Sequence, residues 1–205
     1  MKKYLILLAA LTTLSTHVMA KTDKVKATEV ENKGAEGGFY IGAMLTTATI
    51  EFKASSKLYR EGDPTVLTGV VGYEFNKYFA VEGRYGGSVS DGDVPEDSEG
   101  WWITYYPAKM KVDNVKGVYA KLSWPINEKI TPYAIVGRTS GELSFTYPGY
   151  NNHVTEKEPE SSTSYGAGVN LNVNKHLRLG VEYTKYFNIE ELRASGLSFV
   201  ASIKF

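Results

Sequence analysis

No cysteine occurs in the 205 residues. No disulfide frame, thiolate metal site or cysteine-linked lipid anchor is therefore available. Histidine is nearly as scarce, with three in the chain. Neither charge sign dominates, with 23 basic and 23 acidic residues. A nucleic-acid partner is excluded on that ground, because no basic excess exists to neutralise phosphates. Long hydrophobic runs are missing too. The one sustained run, Leu5 to Leu14, is about half the roughly 20 residues that a helix needs to cross a bilayer.

That run has a different use. Met1-Lys2-Lys3 is a basic lead, Leu5–Leu14 an apolar stretch, and Val18-Met19-Ala20 places a small residue before Lys21. This three-part order predicts a cleavable secretory signal over 1–20, cut between Ala20 and Lys21. Losing Lys2 and Lys3 with it leaves 21 basic against 23 acidic residues, a net charge of −2. Residues 21–37 are charged, poor in apolar side chains and contain glycine. They read as a flexible leader on the periplasmic side, followed by one domain over 38–205.

From Gly38 onward the sequence alternates. Segments with apolar residues at every second position cover Gly38–Leu45, Val66–Phe75, Phe79–Tyr85, Val115–Trp124, Ile130 to about Phe145, Tyr165–Val173, Leu177–Tyr186 and Leu197–Phe205. A period of two is the strand period. The links fall into two kinds. Asn76-Lys77-Tyr78, Pro125–Lys129 and Asn174-Lys175-His176 are short, whereas the others are longer, the longest from about Gly87 to Asn114 and the next from about Thr146 to Ser162. An even number of strands, with tight turns at one end and long loops at the other, is the pattern of an eight-stranded antiparallel up-and-down transmembrane β-barrel. With that parity both mature termini lie in the periplasm.

A soluble up-and-down barrel also alternates, with its apolar face inward. Three features favour the membrane version. The less apolar parity carries small or charged residues, as in Gly166, Gly168, Asn170 and Asn172 or Arg178, Gly180, Glu182 and Thr184, which suits the narrow interior of eight strands. Aromatics gather near strand ends: Phe39, Phe75, Tyr78, Phe79, Trp124, Tyr183, Phe187 and Phe205. The chain also ends on its last strand, without an appended helix. On this reading the inward charges are Glu82, Arg84, Lys121, Arg138, Glu142, Arg178, Glu182 and Lys204. For the fifth segment the register places Tyr133, Ile135, Leu143 and Phe145 toward lipid and Arg138 and Glu142 inside. Both signs are needed, since buried charges must be paired.

The Gly38-Phe39-Tyr40-Ile41-Gly42-Ala43 opening, Gly69-Val70-Val71-Gly72-Tyr73, Pro132-Tyr133-Ala134, Gly166-Ala167-Gly168-Val169 and the closing aromatic carry a family resemblance. The chain resembles the eight-stranded outer-membrane β-barrel (porin-like) superfamily, which includes the OmpA transmembrane domain and OmpX-like proteins. The resemblance spans about residue 38 to 205. It implies residence in the outer membrane of a Gram-negative bacterium, contact with outer-membrane lipid and lipopolysaccharide, and Phe205 as the signal read by the barrel-assembly machinery. With nothing after Phe205, a peptidoglycan-tethering domain is not expected. Members of the superfamily are structural proteins, adhesins, small pores and occasionally enzymes.

Candidates for chemistry are few. His176 falls in a short turn, and His153 near Glu156, Glu158, Ser161 and Ser162 in a long loop; a mobile loop is a poor frame for a Ser-His-acid geometry. Asp91-Gly92-Asp93 and Glu96-Asp97-Ser98-Glu99 offer oxygen ligands, but their spacing is not that of a calcium-binding EF-hand. Trp101-Trp102 and Tyr105-Tyr106 precede Pro107. The alternation of Met110 and Val112 with Lys109 and Lys111 extends the fourth segment beyond the membrane, where an exposed edge can take up a foreign strand. The sequence therefore predicts a monomeric, non-enzymatic barrel without cofactor or metal, with a structural or adhesin-like role and an extracellular partner at its long loops. The alternatives are a narrow pore for ions or small solutes, gated by the inward Glu/Arg pairs, and an outer-membrane lipid hydrolase or protease.

Overall fold

The computed structural model describes residues 37–53, 59–94, 97–99, 103–105, 108–146, 160–188 and 192–205. The proposed signal and nearly all of the leader lie outside them. Among the described residues there are twelve strands: β1 (Gly38–Lys53), β2 (Tyr59–Gly62), β3 (Thr65–Glu74), β4 (Phe79–Ser90), β5 (Gly92–Val94), β6 (Asp97–Glu99), β7 (Ile103–Tyr105), β8 (Ala108–Ser123), β9 (Ile130–Thr146), β10 (Glu160–Asn172), β11 (Leu177–Asn188) and β12 (Leu192–Lys204). Eight of them follow one another as antiparallel neighbours in the order β1, β3, β4, β8, β9, β10, β11, β12. β12 then pairs with β1 from Lys204↔Tyr40 to Leu192↔Phe52, so the eight strands close into a barrel. The protein is an all-β, closed, eight-stranded antiparallel barrel.

The three tight turns are built alike. Asn76 Oδ1 accepts hydrogen bonds from the backbone N–H groups of Tyr78 and Phe79 at 2.8 and 2.9 Å. Asn127 does the same for Lys129 and Ile130, and Asn174 for His176 and Leu177. An apolar residue, Asn, two variable residues and a second apolar residue thus repeat three times. An Asn side chain that mimics the backbone acceptor is the physical reason for this choice.

The other end of the barrel is longer than the sequence predicts. β1 runs on to Lys53, β4 to Ser90, and β8 starts at Ala108. The link from about Gly87 to Asn114, expected to be a long loop apart from the early start of the fourth segment around Lys109–Val112, is thus partly sheet. The short strands β2 and β5 add onto β1 and β8 there, whereas β6 and β7 form a separate hairpin. Three register shifts interrupt the ladders, at Thr65/Val66, Val112/Asn114 and Lys185/Phe187. Such bulges bend a strand and change which parity faces inward.

Candidate functional site

The outward surface decides what surrounds the barrel. Ladder partners and burial set the outward positions as 39, 41, 43 and 45 on β1; 67, 69, 71 and 73 on β3; 79, 81, 83 and 85 on β4; 118, 120, 122 and, one beyond the strand end, 124 on β8. They continue as 130, 132, 134 and 136 on β9; 165, 167, 169 and 171 on β10; 177, 179, 181 and 183 on β11; 197, 199, 201 and 203 on β12. Every one is apolar, aromatic or glycine. The next outward residue toward the loop end is Thr47, Thr65, Gly87, Lys116, Arg138, Thr163, Lys185 and Ser195 in turn. The belt is therefore the same height on all eight strands. Eight residues at about 3.4 Å, tilted by about 40°, give roughly 20 Å, close to the apolar band of about 25 Å on membrane barrels. Its lower rim is aromatic: Phe39, Tyr73, Phe75 and Phe79 touch in sequence, with ring centroids 4.8, 5.0 and 5.4 Å apart, as at an interfacial girdle.

Inside the belt lies a closed network of charges. Glu82 accepts from Tyr40 Oη at 2.7 Å and Lys121 Nζ at 2.9 Å through Oε1, and from Arg84 Nε and Nη2 at 3.0 and 2.6 Å through Oε2. Arg84 also forks onto Glu182, Nη1 to Oε1 at 2.6 Å and Nη2 to Oε2 at 2.9 Å. Tyr133 Oη and Thr184 Oγ1 complete the shell of Glu182 at 3.0 and 2.8 Å. The guanidinium of Arg84 stacks 4.5 Å above the Tyr119 ring, and Lys121 Nζ lies 3.9 Å from the centroid of Tyr133. Two carboxylates face two cations, so the cluster is neutral. Each charge has at least one close opposite partner, which is the condition for burying it.

Room for the three tyrosines comes from inward glycines, on a neighbouring strand for Tyr133 and Tyr40 and two residues back on the same strand for Tyr119. A Cβ on Gly168 would sit 2.6 Å from the Tyr133 ring and one on Gly117 2.7 Å from Tyr119, while Gly72 would collide with Tyr40. Below the network, Glu74 is paired with both Arg178 and Lys204 and is partly open to solvent. Above it, Ala48, Ile50, Val66, Val94, Met110, Val112, Phe187 and Ala194 form an apolar cluster drawn from six strands around the wall. Met110 and Val94 are 0 % and 1 % exposed. This cluster lies at the loop end of the barrel, beyond the charged layer.

Of the eight inward charges expected from sequence, the structure brings Glu82, Arg84, Lys121 and Glu182 into one cluster and sets Arg178 and Lys204 in a second around Glu74. Arg138 and Glu142 do not belong. On β9 the residues that point inward are Tyr133, Ile135 and Thr139, all buried, and Arg138 is exposed, bonded to Ser161 Oγ at 2.7 Å. Glu142 accepts from Asn114 Nδ2 at 2.7 Å. The expected register of this strand is thus inverted. Both parities of Ile130–Gly137 carry apolar residues, and a rule that hides Arg138 inside misreads a residue that reaches past the top of the belt. Glu74, Tyr40, Tyr119 and Tyr133 were not legible as lumen residues. The inward parity that Tyr40 shares with Met44, and Tyr119 with Lys121, was the available signal.

No described residue forms a catalytic arrangement. His176 lies in a tight turn, its Nδ1 3.0 Å from the Lys204 carbonyl oxygen. Ser162 Oγ bonds the Thr163 carbonyl oxygen. His153, Glu156 and Glu158 lie outside the described residues, as do Glu96, Trp101, Trp102, Tyr106 and Pro107. Asp91 and Asp93 are exposed, and among the described residues no three His, Asp or Glu side chains are grouped to hold a metal.

Comparison with known proteins gives a consistent picture. Among solved structures, the attachment invasion locus protein Ail of Yersinia pestis, crystallised with the heparin analogue sucrose octasulfate, is similar over 83 % of this chain and 99 % of its own, at 18 % identity and a TM-score of 0.54. Neisserial surface protein A matches over 84 % of this chain and 99 % of its own, at 19 % identity and a TM-score of 0.54. At such identities the likeness speaks for the fold alone. No curated protein matches the chain. The model of the outer membrane protein beta-barrel domain matches residues 6–205. With its closed barrel, uniform apolar belt and paired polar lumen, the chain belongs to the outer membrane protein beta-barrel domain family.

Proposed function

We propose that this protein is a surface-interaction barrel of the Gram-negative outer membrane, non-enzymatic, with its long-loop end outside the cell and its tight turns and mature termini in the periplasm. In this reading residues 1–20 are a removed signal, 21–37 a periplasmic leader and 38–205 the barrel. The observation that carries the functional reading is the packing of the lumen among the described residues. The apolar cluster around Met110 and Val94 lies above a layer of paired charges, which favours display over conduction. What the barrel holds out instead is a projecting sheet. β8 extends eight residues beyond Lys116 to Ala108, and β9 as far beyond Arg138 to Thr146. These extensions, joined by β5, display the loops. The similarity to Ail, a protein named for attachment and invasion, agrees with a display role.

The test pairs two assays on the refolded chain: conductance across a planar bilayer, and adhesion of bacteria expressing it to cultured cells. Adhesion that is lost when residues 95–107 are deleted, with no conductance, is the expected result. Steady conductance that changes in the Glu82→Gln variant would establish the pore reading in its place. N-terminal sequencing of the mature protein should begin at Lys21.

A further inference from the structure

A layer of hydroxyls separates the charged layer from the apolar cluster. The inward residues run Glu182, Thr184, Phe187 along β11 and Met44, Thr46, Ala48 along β1. Thr46, Thr139, Ser164, Thr184 and Ser198 are each at most 2 % exposed. These hydroxyls are bonded. Thr139 Oγ1 meets Ser164 Oγ at 2.6 Å and also Tyr119 Oη. The Tyr186 carbonyl oxygen accepts from Ser164 Oγ at 2.8 Å, and Glu182 accepts from Thr184. Thr46 Oγ1 and Ser198 Oγ bond each other at 2.9 Å across the β1–β12 seam that closes the barrel. The Thr46 methyl packs on Gly196, where an added Cβ would lie 2.5 Å from it, and this turns the hydroxyl toward Ser198.

One hydroxyl in this layer differs from the rest. Tyr186 is the extra residue of the β11 bulge, between Lys185↔Ser195 and Phe187↔Ala194. Its ring packs against the apolar cluster. Thr46, Ser198, Glu182 and Arg84 lie about its Oη, but none of them meets it in hydrogen-bonding geometry. Among the described residues it is the one buried side-chain nitrogen or oxygen without a partner. Folded interiors satisfy such groups with protein or with ordered water.

We propose that Tyr186 Oη, Thr46 Oγ1 and Ser198 Oγ bind one structural water molecule, which ties the β11 bulge to the β1–β12 closure. Thr46 and Ser198 keep bonding capacity after their mutual hydrogen bond, since each hydroxyl has one donor and two acceptor sites. With Tyr186 they supply three partners, about the number a buried water takes. The chemistry selects water over other ligands. The charges below are neutralised within their own network, so an ion would arrive with its charge unpaired. An apolar molecule would leave the tyrosine hydroxyl bare. Water both donates and accepts, and it joins a third strand to a seam whose two hydroxyls are 152 positions apart. The inference does not depend on which end of the barrel faces outward.

A crystal structure of the refolded full chain that shows ordered solvent tests it directly. One solvent peak is expected at hydrogen-bonding distance from Tyr186 Oη and from Thr46 Oγ1 or Ser198 Oγ, and it should be missing in Tyr186→Phe. An empty position there, or Tyr186 Oη bonded directly to Thr46 or Ser198, overturns the site. Urea unfolding from lipid vesicles gives a second readout, because the two cases differ in sign. Removing a hydroxyl that water satisfies should raise the unfolding equilibrium constant of Tyr186→Phe about tenfold. An unpaired hydroxyl would make the phenylalanine variant equally or more stable, and that result overturns the site. Ser198→Ala supplies the coupling. Combined with Tyr186→Phe it should cost less than the product of the two single effects, because both act through one water. Fully multiplicative effects would show that the two hydroxyls share nothing.

Discussion

The belt and the projection above it are built from the same strands with opposite polarity. In the belt, the outward residues of β12 are Leu197, Phe199, Ala201 and Ile203, and the inward ones include Ser198, Ser202 and Lys204. A few residues away on the same strand, Ala194 is buried inward and Arg193 exposed outward. β1 makes the same exchange, from Ile41 outward to Ile50 inward, with Glu51 outward and within 3.9 Å of Arg193. β8 makes it through its bulge, Val118 outward in the belt and Met110 and Val112 inward beyond it. A strand that leaves lipid for water must turn its apolar face around, because the favourable transfer of apolar surface is out of water in both places. These three strands show where the solvent changes, at the level of Lys116, Arg138 and Lys185.

Substitutions break this comparison at different points. The largest effect is expected inside the belt. Arg84→Met leaves Glu82 and Glu182 buried without their shared cation, and should cost about 3–5 kcal/mol in urea unfolding from lipid vesicles. A wild-type midpoint would show that water reaches the layer. Inside the projection the loss is a cavity rather than a charge. Phe187→Ala should cost about 3–5 kcal/mol if the cluster packs like a soluble core, and its effect should persist when the barrel is moved from vesicles to detergent micelles.

A matched pair sharpens the outward faces. Val181→Arg in the belt should cost about 2–4 kcal/mol in vesicles. Ser90→Arg, exposed beyond the belt on β4, should stay within about 0.5 kcal/mol. Equal costs would mean that both positions see the same solvent. The smallest effect belongs to the exposed pair Lys111 and Asp113, 3.8 Å apart. Lys111→Ala should change the unfolding midpoint by less than about 0.5 kcal/mol, since solvent screens such a pair.

The phase reversal was present in the sequence and is easy to pass over. In Gly38–Lys53 every odd position from Phe39 to Leu45 is apolar and every even position from Ala48 to Phe52 is apolar, a change that marks the end of the belt within a continuous strand. Reading that strand only as far as Leu45 took the reversal for the end of alternation. The projecting parts of β1 and β4 are consequently read as loop, whereas the alternation at Lys109–Val112 and the fifth segment to about Phe145 do carry the projection of β8 and β9.

Local pattern by itself determined the eight alternating segments, the three Asn turns and the asymmetry between short and long links. Each depends on a period of two or on hydrogen bonds within five residues, and those travel with the sequence. Glu82, Arg84, Lys121 and Glu182 were marked as inward by the parity of their own strands. Their partners were not, because Arg84 and Glu182 are 98 positions apart and meet only when β12 closes on β1. The orientation of β9 was likewise beyond local pattern, since both of its faces are apolar through the belt. Tertiary closure settled it, by bringing Tyr133 within reach of Glu182 and by lifting Arg138 to the level where the other strands turn polar.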